Sequence, residues 1–194
     1  STGVYSVSIT ANNCESSISN VNLQIFPIPS FSVSSNSPIC AGDNMNLMAT
    51  TVENGTYSWT GPNSFESSEE DPQFSGVSLA EAGDYSLIVA ANGCISNPQS
   101  VAITIHPIPI ANPINSGPVC VGSTLQLSTN TSNGMTYQWQ GPNGFSSTAS
   151  APVINAAQLN NSGEYQLVVT QNGCASQLSS TSVIIWQNPT VVAS

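Results

Sequence analysis

A tyrosine, a cysteine and their neighbours return along this chain at one fixed interval. The stretches GVYSVSITANNCESS, GDYSLIVAANGCISN and GEYQLVVTQNGCASQ align without a gap, which sets Tyr5, Tyr85 and Tyr165 eighty residues apart and Cys14, Cys94 and Cys174 likewise. Cys40 and Cys120, Trp59 and Trp139, and the GPN turns at Gly61 and Gly141 keep the same spacing. Self-similarity at a fixed period constrains a fold more than local propensity does, because each copy must close the same small structure. The register divides the chain into two full repeats, 30–109 and 110–189. Residues 1–29 read as the last third of a truncated repeat, and 190–194 as the start of a further one.

Each copy carries short alternating or apolar runs broken by turn residues every eight to twelve positions. That is the pattern of an all-β sandwich, and no stretch longer than a turn has a helical period. In the first full repeat, strand A is expected at about 31–35, B at 45–51, C at 56–60, E at 74–79, F at 84–91 and G at 99–106. Asn-Gly pairs supply the positive φ that tight hairpins need. Strand G then runs into FPIPS, HPIPI or WQNPT. Proline fixes φ and biases its predecessor toward extended backbone, so Phe26, Pro27 and Pro29, then His106, Pro107 and Pro109, then Trp186 and Pro189, read as short semi-rigid joints. The expectation is a head-to-tail rod.

Charge narrows the function classes. The chain has no lysine or arginine, ten acidic residues and a formal charge of −10. Without cations it lacks the groups that neutralise phosphate, so nucleic acid and anionic membrane are excluded as expected partners. Schiff-base chemistry, a phosphate-loop lysine and a lysine-to-asparagine isopeptide crosslink are excluded with them, and trypsin-like proteases find no site. No apolar run is long enough to cross a bilayer, so no direct membrane insertion is expected. Five cysteines in a β-rich chain point to an oxidising compartment.

The segments GDNMNLMA, YSWTGPN and SLAEAGDYSL, repeated as GSTLQLST, YQWQGPN and AAQLNNSGEYQL, resemble the B, C and E-F segments of immunoglobulin-like domains. On that resemblance Trp59 and Trp139 match the core tryptophan of strand C, and Tyr85 and Tyr165, with Tyr5, match the tyrosine corner. The combination of a PVC.G turn, Y.W.GPNG, SG.Y.L.V..NGC and a proline-rich joint is more narrowly similar to the immunoglobulin-like repeats of large cell-surface adhesins of Bacteroidota, exported by type IX secretion. The resemblance implies an extracellular, cell-surface location and adhesion as a broad role, and brings no catalytic residue or cofactor.

The chain departs from antibody domains where a disulfide would pin the two sheets. Those positions hold Ala49 with Leu87 and Thr129 with Leu167. In the immunoglobulin topology Leu47 and Leu87 lie near mid-sandwich, while Cys40 precedes the first by seven residues and Cys94 follows the second by seven. At about 3.3 Å per residue each cysteine then lies up to roughly 23 Å from the middle, toward opposite ends, whereas a disulfide needs Cα atoms within about 7 Å. Head-to-tail stacking offers another pairing, in which Cys40 meets Cys174 at the F-G tip of the next repeat. Two schemes stay open: the interdomain staple Cys40–Cys174, which distance favours, and the intradomain set Cys40–Cys94 with Cys120–Cys174.

Other candidate sites carry less. Glu66, Glu69, Glu70 and Asp71 form the one dense acidic patch, of a type that hard cations use, but the second repeat has SSTASA there. His106 is the sole histidine and stands where the other joints have Phe26 and Trp186, so a packing ring is expected and no catalytic triad. The functional expectation is a non-enzymatic stalk segment of a long adhesin or surface filament. It would space and mechanically link a distal tip of unknown ligand, with neighbouring repeats, and lateral copies, as partners. The alternatives are a glycan- or protein-binding module and a self-assembling filament subunit.

Overall fold

A computed structural model describes residues 2–191; of the segment 190–194, residues 192–194 lie outside the described part. The fold is all-β, with only three-residue 3-10 turns interrupting the strands. The chain separates into two compact units. One comprises Ser1–Asn36, Met45–Phe74 and Ala80–Ile103; the other comprises Ser37–Asn44, Ser75–Leu79 and Thr104–Ser194.

In the first unit, strands Gly3–Val7 and Ser19–Leu23 form an antiparallel hairpin. A three-stranded sheet then sets Gln73–Phe74, Met45–Ala49 and Val33–Ser35 side by side. A larger sheet orders Phe65–Ser67, Gly55–Gly61 and Gly83–Ala91, and the last also pairs with Cys94–Ile95 and Gln99–Ile103. Strand Gly83–Ala91 buries Tyr85, Leu87 and Val89 at every second residue, as a strand with one wet face must. Leu87 lies opposite Trp59 in the ladder. These residues, with Met45 and Leu47 from the smaller sheet, are wholly buried. Burial of each aliphatic side chain contributes about 1.5–3 kcal/mol, which holds the sheets together where no disulfide pins them.

The second unit repeats the design. A sheet of Ile114–Asn115, Leu125–Ser128 and Val153–Ile154 accompanies one of Ser146–Ser147, Thr136–Gln140 and Gly163–Gln171, extended by Cys174–Ala175 and Ser179–Val183. Leu125, Leu127, Trp139, Ala157, Tyr165, Leu167, Val169, Val183 and Ile185 form one core. Two parallel pairs also lie here, Ile39–Cys40 with Ile105–His106 and Val119–Cys120 with Ile185–Trp186.

The strands expected as B, C, F and G are observed within a few residues of their predicted places. Strand A is shorter at Val33–Ser35 and is followed by the separate pair Ile39–Cys40. Two or three residues carry no readable period, so that pair and the strand Phe65–Ser67 have no signature in the sequence.

Candidate functional site

The structure holds one disulfide among the described residues, between Cys40 and Cys174, with Cα atoms 5.7 Å apart at a sequence separation of 134. Cys14, Cys94 and Cys120 are free. The Cys40–Cys94 and Cys120–Cys174 pairings are absent. Both bonded cysteines belong to the second compact unit, because the turn 37–44 groups with residues 104–194.

Cys40 is held on both sides. Its strand runs parallel to Ile105–His106, with Cys40 opposite His106. The Cys40 N–H donates to Asp43 Oδ2 at 3.0 Å, and the Asp43 N–H donates back to the Cys40 carbonyl at 3.1 Å. Gly42, at φ 93°, turns the chain so that its N–H reaches the Val77 carbonyl at 2.7 Å. A Cys-x-Gly-Asp stretch thus folds into a small closed turn that fixes the sulfur.

Cys174 is aimed by a hairpin. Strand Gly163–Gln171 reverses through Asn172 and Gly173, both at positive φ (51° and 83°), and returns so that Cys174 faces Gln171. The Val169 N–H donates to Ser176 Oγ at 3.0 Å, and the Ser176 N–H donates to the Val169 carbonyl at 2.8 Å. This clasp recurs at Val89 with Ser96 and at Ile9 with Ser16, so three hairpins present Cys174, Cys94 and Cys14 on the same frame. Cys174 is buried, whereas Cys14 is exposed. The Cys94 Sγ–H contacts the Phe26 carbonyl at 3.6 Å. Cys120, the counterpart of Cys40, ends the strand Val119–Cys120 beside Trp186 and is exposed.

Behind the hairpins stand the aromatic anchors. Trp59 Nε1 donates to the Glu70 carbonyl at 3.2 Å and Trp139 Nε1 to the Ala149 carbonyl at 3.1 Å. Tyr85 Oη donates to the Glu81 carbonyl at 3.0 Å, and Tyr165 Oη to the Asn161 carbonyl at 2.9 Å. Burial pushes both phenol pKa values up; at Tyr85 the negative charge of Glu81 adds to the effect. Tyr5, without a surrounding sandwich, is 46% exposed. At the joints, Phe26 and Trp186 are exposed, His106 is half-buried in its strand pair and Pro109 is buried.

The acidic patch is not gathered into a site. Glu70 accepts from the Thr51 hydroxyl, and Asp71 accepts from the Ala49 N–H at 2.9 Å. Among the described residues no three metal-ligating side chains converge, at Glu66, Glu69, Glu70 and Asp71 or elsewhere. Among the described residues no helix is long and apolar enough to cross a membrane.

Sequence reasoning passed over the clasp serines and a ring cluster. Phe65, Phe74 and Tyr85 meet at centroid distances of 4.7–5.8 Å, and Phe145 meets Tyr165 at 5.3 Å. The signal for both was available in the repeat: Ser16, Ser96 and Ser176 follow each cysteine by two, and a phenylalanine follows each GPN turn within two residues.

No protein-family model matches this chain, and no curated protein matches it in sequence. Among solved structures it is similar to a chain in the "Crystal structure of mouse coronavirus receptor-binding domain complexed with its murine receptor", with a TM-score of 0.51 at 13% identity over 81% of this chain and 100% of that one. It is also similar to the N-terminal eight immunoglobulin domains of Down Syndrome Cell Adhesion Molecule, with a TM-score of 0.54 at 11% identity; the match covers 97% of this chain and 28% of that one. Likeness at such identities carries architecture and no activity. The protein therefore has an immunoglobulin-like fold.

Proposed function

We propose that this chain is a structural segment of a long extracellular adhesin or surface filament, made of immunoglobulin-like repeats at 30–109 and 110–189 in a head-to-tail rod, whose work is to space and mechanically link a distal binding tip to the cell. The observation that carries the reading is the Cys40–Cys174 bond. It ties the A-B turn of one repeat to the F-G tip of the next, 134 residues on, beside the proline joint at His106, Pro107 and Pro109.

Such a bond changes how tension travels. Force entering before Cys40 passes through the two sulfurs to Cys174 and bypasses everything between, so the enclosed residues cannot be drawn out while the bond lasts. A spacer under load gains a fixed length from this, whereas a ligand-binding module gains nothing. The absence of lysine and arginine fits an extracellular life among proteases, and the polar, cation-free surface fits a segment with no nucleic-acid or lipid ligand of its own.

Single-molecule stretching between handles at residues 1 and 194 tests the reading. The 134 shielded residues correspond to about 440–480 Å of contour at 3.3–3.6 Å each. That length is expected to be missing from the oxidised protein and released once a thiol reductant is added. Full extension of the oxidised protein would remove the mechanical role.

A further inference from the structure

The hairpin of residues 3–25 presents an apolar face that its counterparts bury. Val7, Ile9, Leu23 and Ile25 are 45–70% exposed. The matching residues Leu87, Val89, Ile103 and Ile105 are at most 6% exposed, as are Leu167, Val169, Val183 and Ile185. What covers them in residues 110–189 is visible: Leu125, Leu127, Trp139 and Ala157, from the part of the repeat that precedes strand F.

A second observation points to the same occupant. Ile25 and Phe26 correspond to Ile105 and His106, which pair in parallel with Ile39–Cys40 and set Cys40 opposite His106. Cys40 there bonds the F-G tip cysteine, Cys174. At the corresponding place the F-G tip cysteine is Cys94, half-buried, free, and with its sulfur against the Phe26 carbonyl. The thiol already lies beside the residue that a strand bearing a Cys40-like cysteine would pair with.

We propose that the hairpin 3–25 and Cys94 together form the docking site for the strand A to E half of a homologous repeat, a polypeptide of the kind represented by residues 30–80, whose Cys40-like cysteine bonds to Cys94. The inference rests on the stalk reading and deepens it by naming the partner. A second hairpin from another copy meets the apolar face less well, because it brings no A-B turn cysteine; the free one, Cys120, sits on a strand already paired with Ile185–Trp186. A charged partner has little to bind, since Glu15 is the only charged side chain between residues 1 and 29.

Bond formation removes one proton from each of two thiols and two electrons from the pair. A small-molecule disulfide such as oxidised glutathione accepts them in two exchange steps: Cys94 displaces one glutathione thiol to form a mixed disulfide, and the incoming cysteine displaces the second. The product has a mechanical consequence. A staple spans 134 residues while the repeat advances by eighty, so successive staples overlap, and the loop closed at Cys94 contains Cys40, where the next begins. Interlocked loops leave only short lengths of chain open to tension.

The test extends the chain so that a copy of residues 30–80 precedes Ser1, which places Ser1 where Glu81 follows Ala80. After oxidation with glutathione disulfide, mass mapping is expected to find Cys94 linked to the copied cysteine, with Cys14 and Cys120 alone open to alkylation. The same extension with the copied cysteine as serine is expected to leave three open thiols. Amide exchange at residues 3–9 and 21–25 is expected to slow at least tenfold in both. A second extension, with residues 110–160 in place of 30–80, guards against a join that does not fold.

Alkylation of Cys94 in both extended proteins while Cys40–Cys174 stays closed would overturn the proposal and leave the stalk reading standing; loss of Cys40–Cys174 would overturn both. A dimer of the unextended protein that Val7→Asp converts to monomer would assign the face to a second copy and likewise overturn it.

Discussion

Gly61 and Gly141 show how little room the tyrosine corner allows. Their backbones are extended, so conformational freedom does not explain them, but a Cβ at either would lie 2.5 Å from the ring of Tyr85 or Tyr165. Neither ring can retreat, because each phenol is tied to a carbonyl four residues upstream. Gly141→Ala is therefore expected to cost about 1–3 kcal/mol, the range for an overfilled core, read as a lower urea midpoint at unchanged slope. The phenols also set an alkaline limit. Their folded pKa values lie above the ordinary value of about 10, so the fold favours the neutral form. The stability this contributes is complete below pH 10 and is lost as pH rises through the folded values. A urea series from pH 8 to 12 should show that loss, and Tyr85→Phe with Tyr165→Phe should flatten it while costing about 1 kcal/mol per lost hydrogen bond at pH 8.

At the scale of the element, the F-G hairpin is the part that aims chemistry. Asn172 and Gly173 take positive φ in succession, which matches the right-handed twist of the flanking strands and returns the chain with Cys174 opposite Gln171. A β-branched residue at the second position meets about 1–2 kcal/mol of backbone strain and displaces the sulfur. Gly173→Val is expected to raise the alkylated fraction of Cys40 and Cys174 at a fixed glutathione ratio. The change at Gly144, also positive in φ but in the turn Pro142–Gly144 packed by the Gly163 end of the strand, away from Cys174, should leave that fraction unaltered. The turn was legible in the letters NGC; the Ser176 clasp behind it was marked only by the recurrence of a serine two residues after each cysteine, since a single serine has no local signal until its partner Val169, seven residues back, is brought against it.

For the whole molecule, the crosslink is the largest single constraint. Closing a loop of 134 residues restricts the unfolded chain by about 4–5 kcal/mol in the chain-entropy account. Cys174→Ser should lower unfolding free energy by an amount of that order, measured by urea denaturation against the oxidised protein, and reductant should add nothing further to the variant. Cys120→Ser, which removes no bond in this structure, is the matched control. A chain without cations has no ion pairs between side chains other than through its single histidine. Stability thus rests on cores of the Trp139 type, ladders and this bond, and added salt has little attraction to screen.

The sequence by itself determined the repeat and the class of fold, because a period of eighty and a strand alternation of two are properties of residue order. It also marked Trp59, Trp139, Tyr85 and Tyr165 as core, since each recurs in register with apolar neighbours. Distance arithmetic favoured Cys40 with Cys174 but needed an assumed topology to do so. Only the tertiary structure decided that pairing among the described cysteines, because a disulfide depends on where two sulfurs meet in space. It likewise left Glu66, Glu69, Glu70 and Asp71, which adjacency in sequence had grouped, without a common centre among the described residues, since Glu66 lies in the strand Phe65–Ser67 while Glu70 and Asp71, beyond its end, are taken up by Thr51 and the Ala49 N–H.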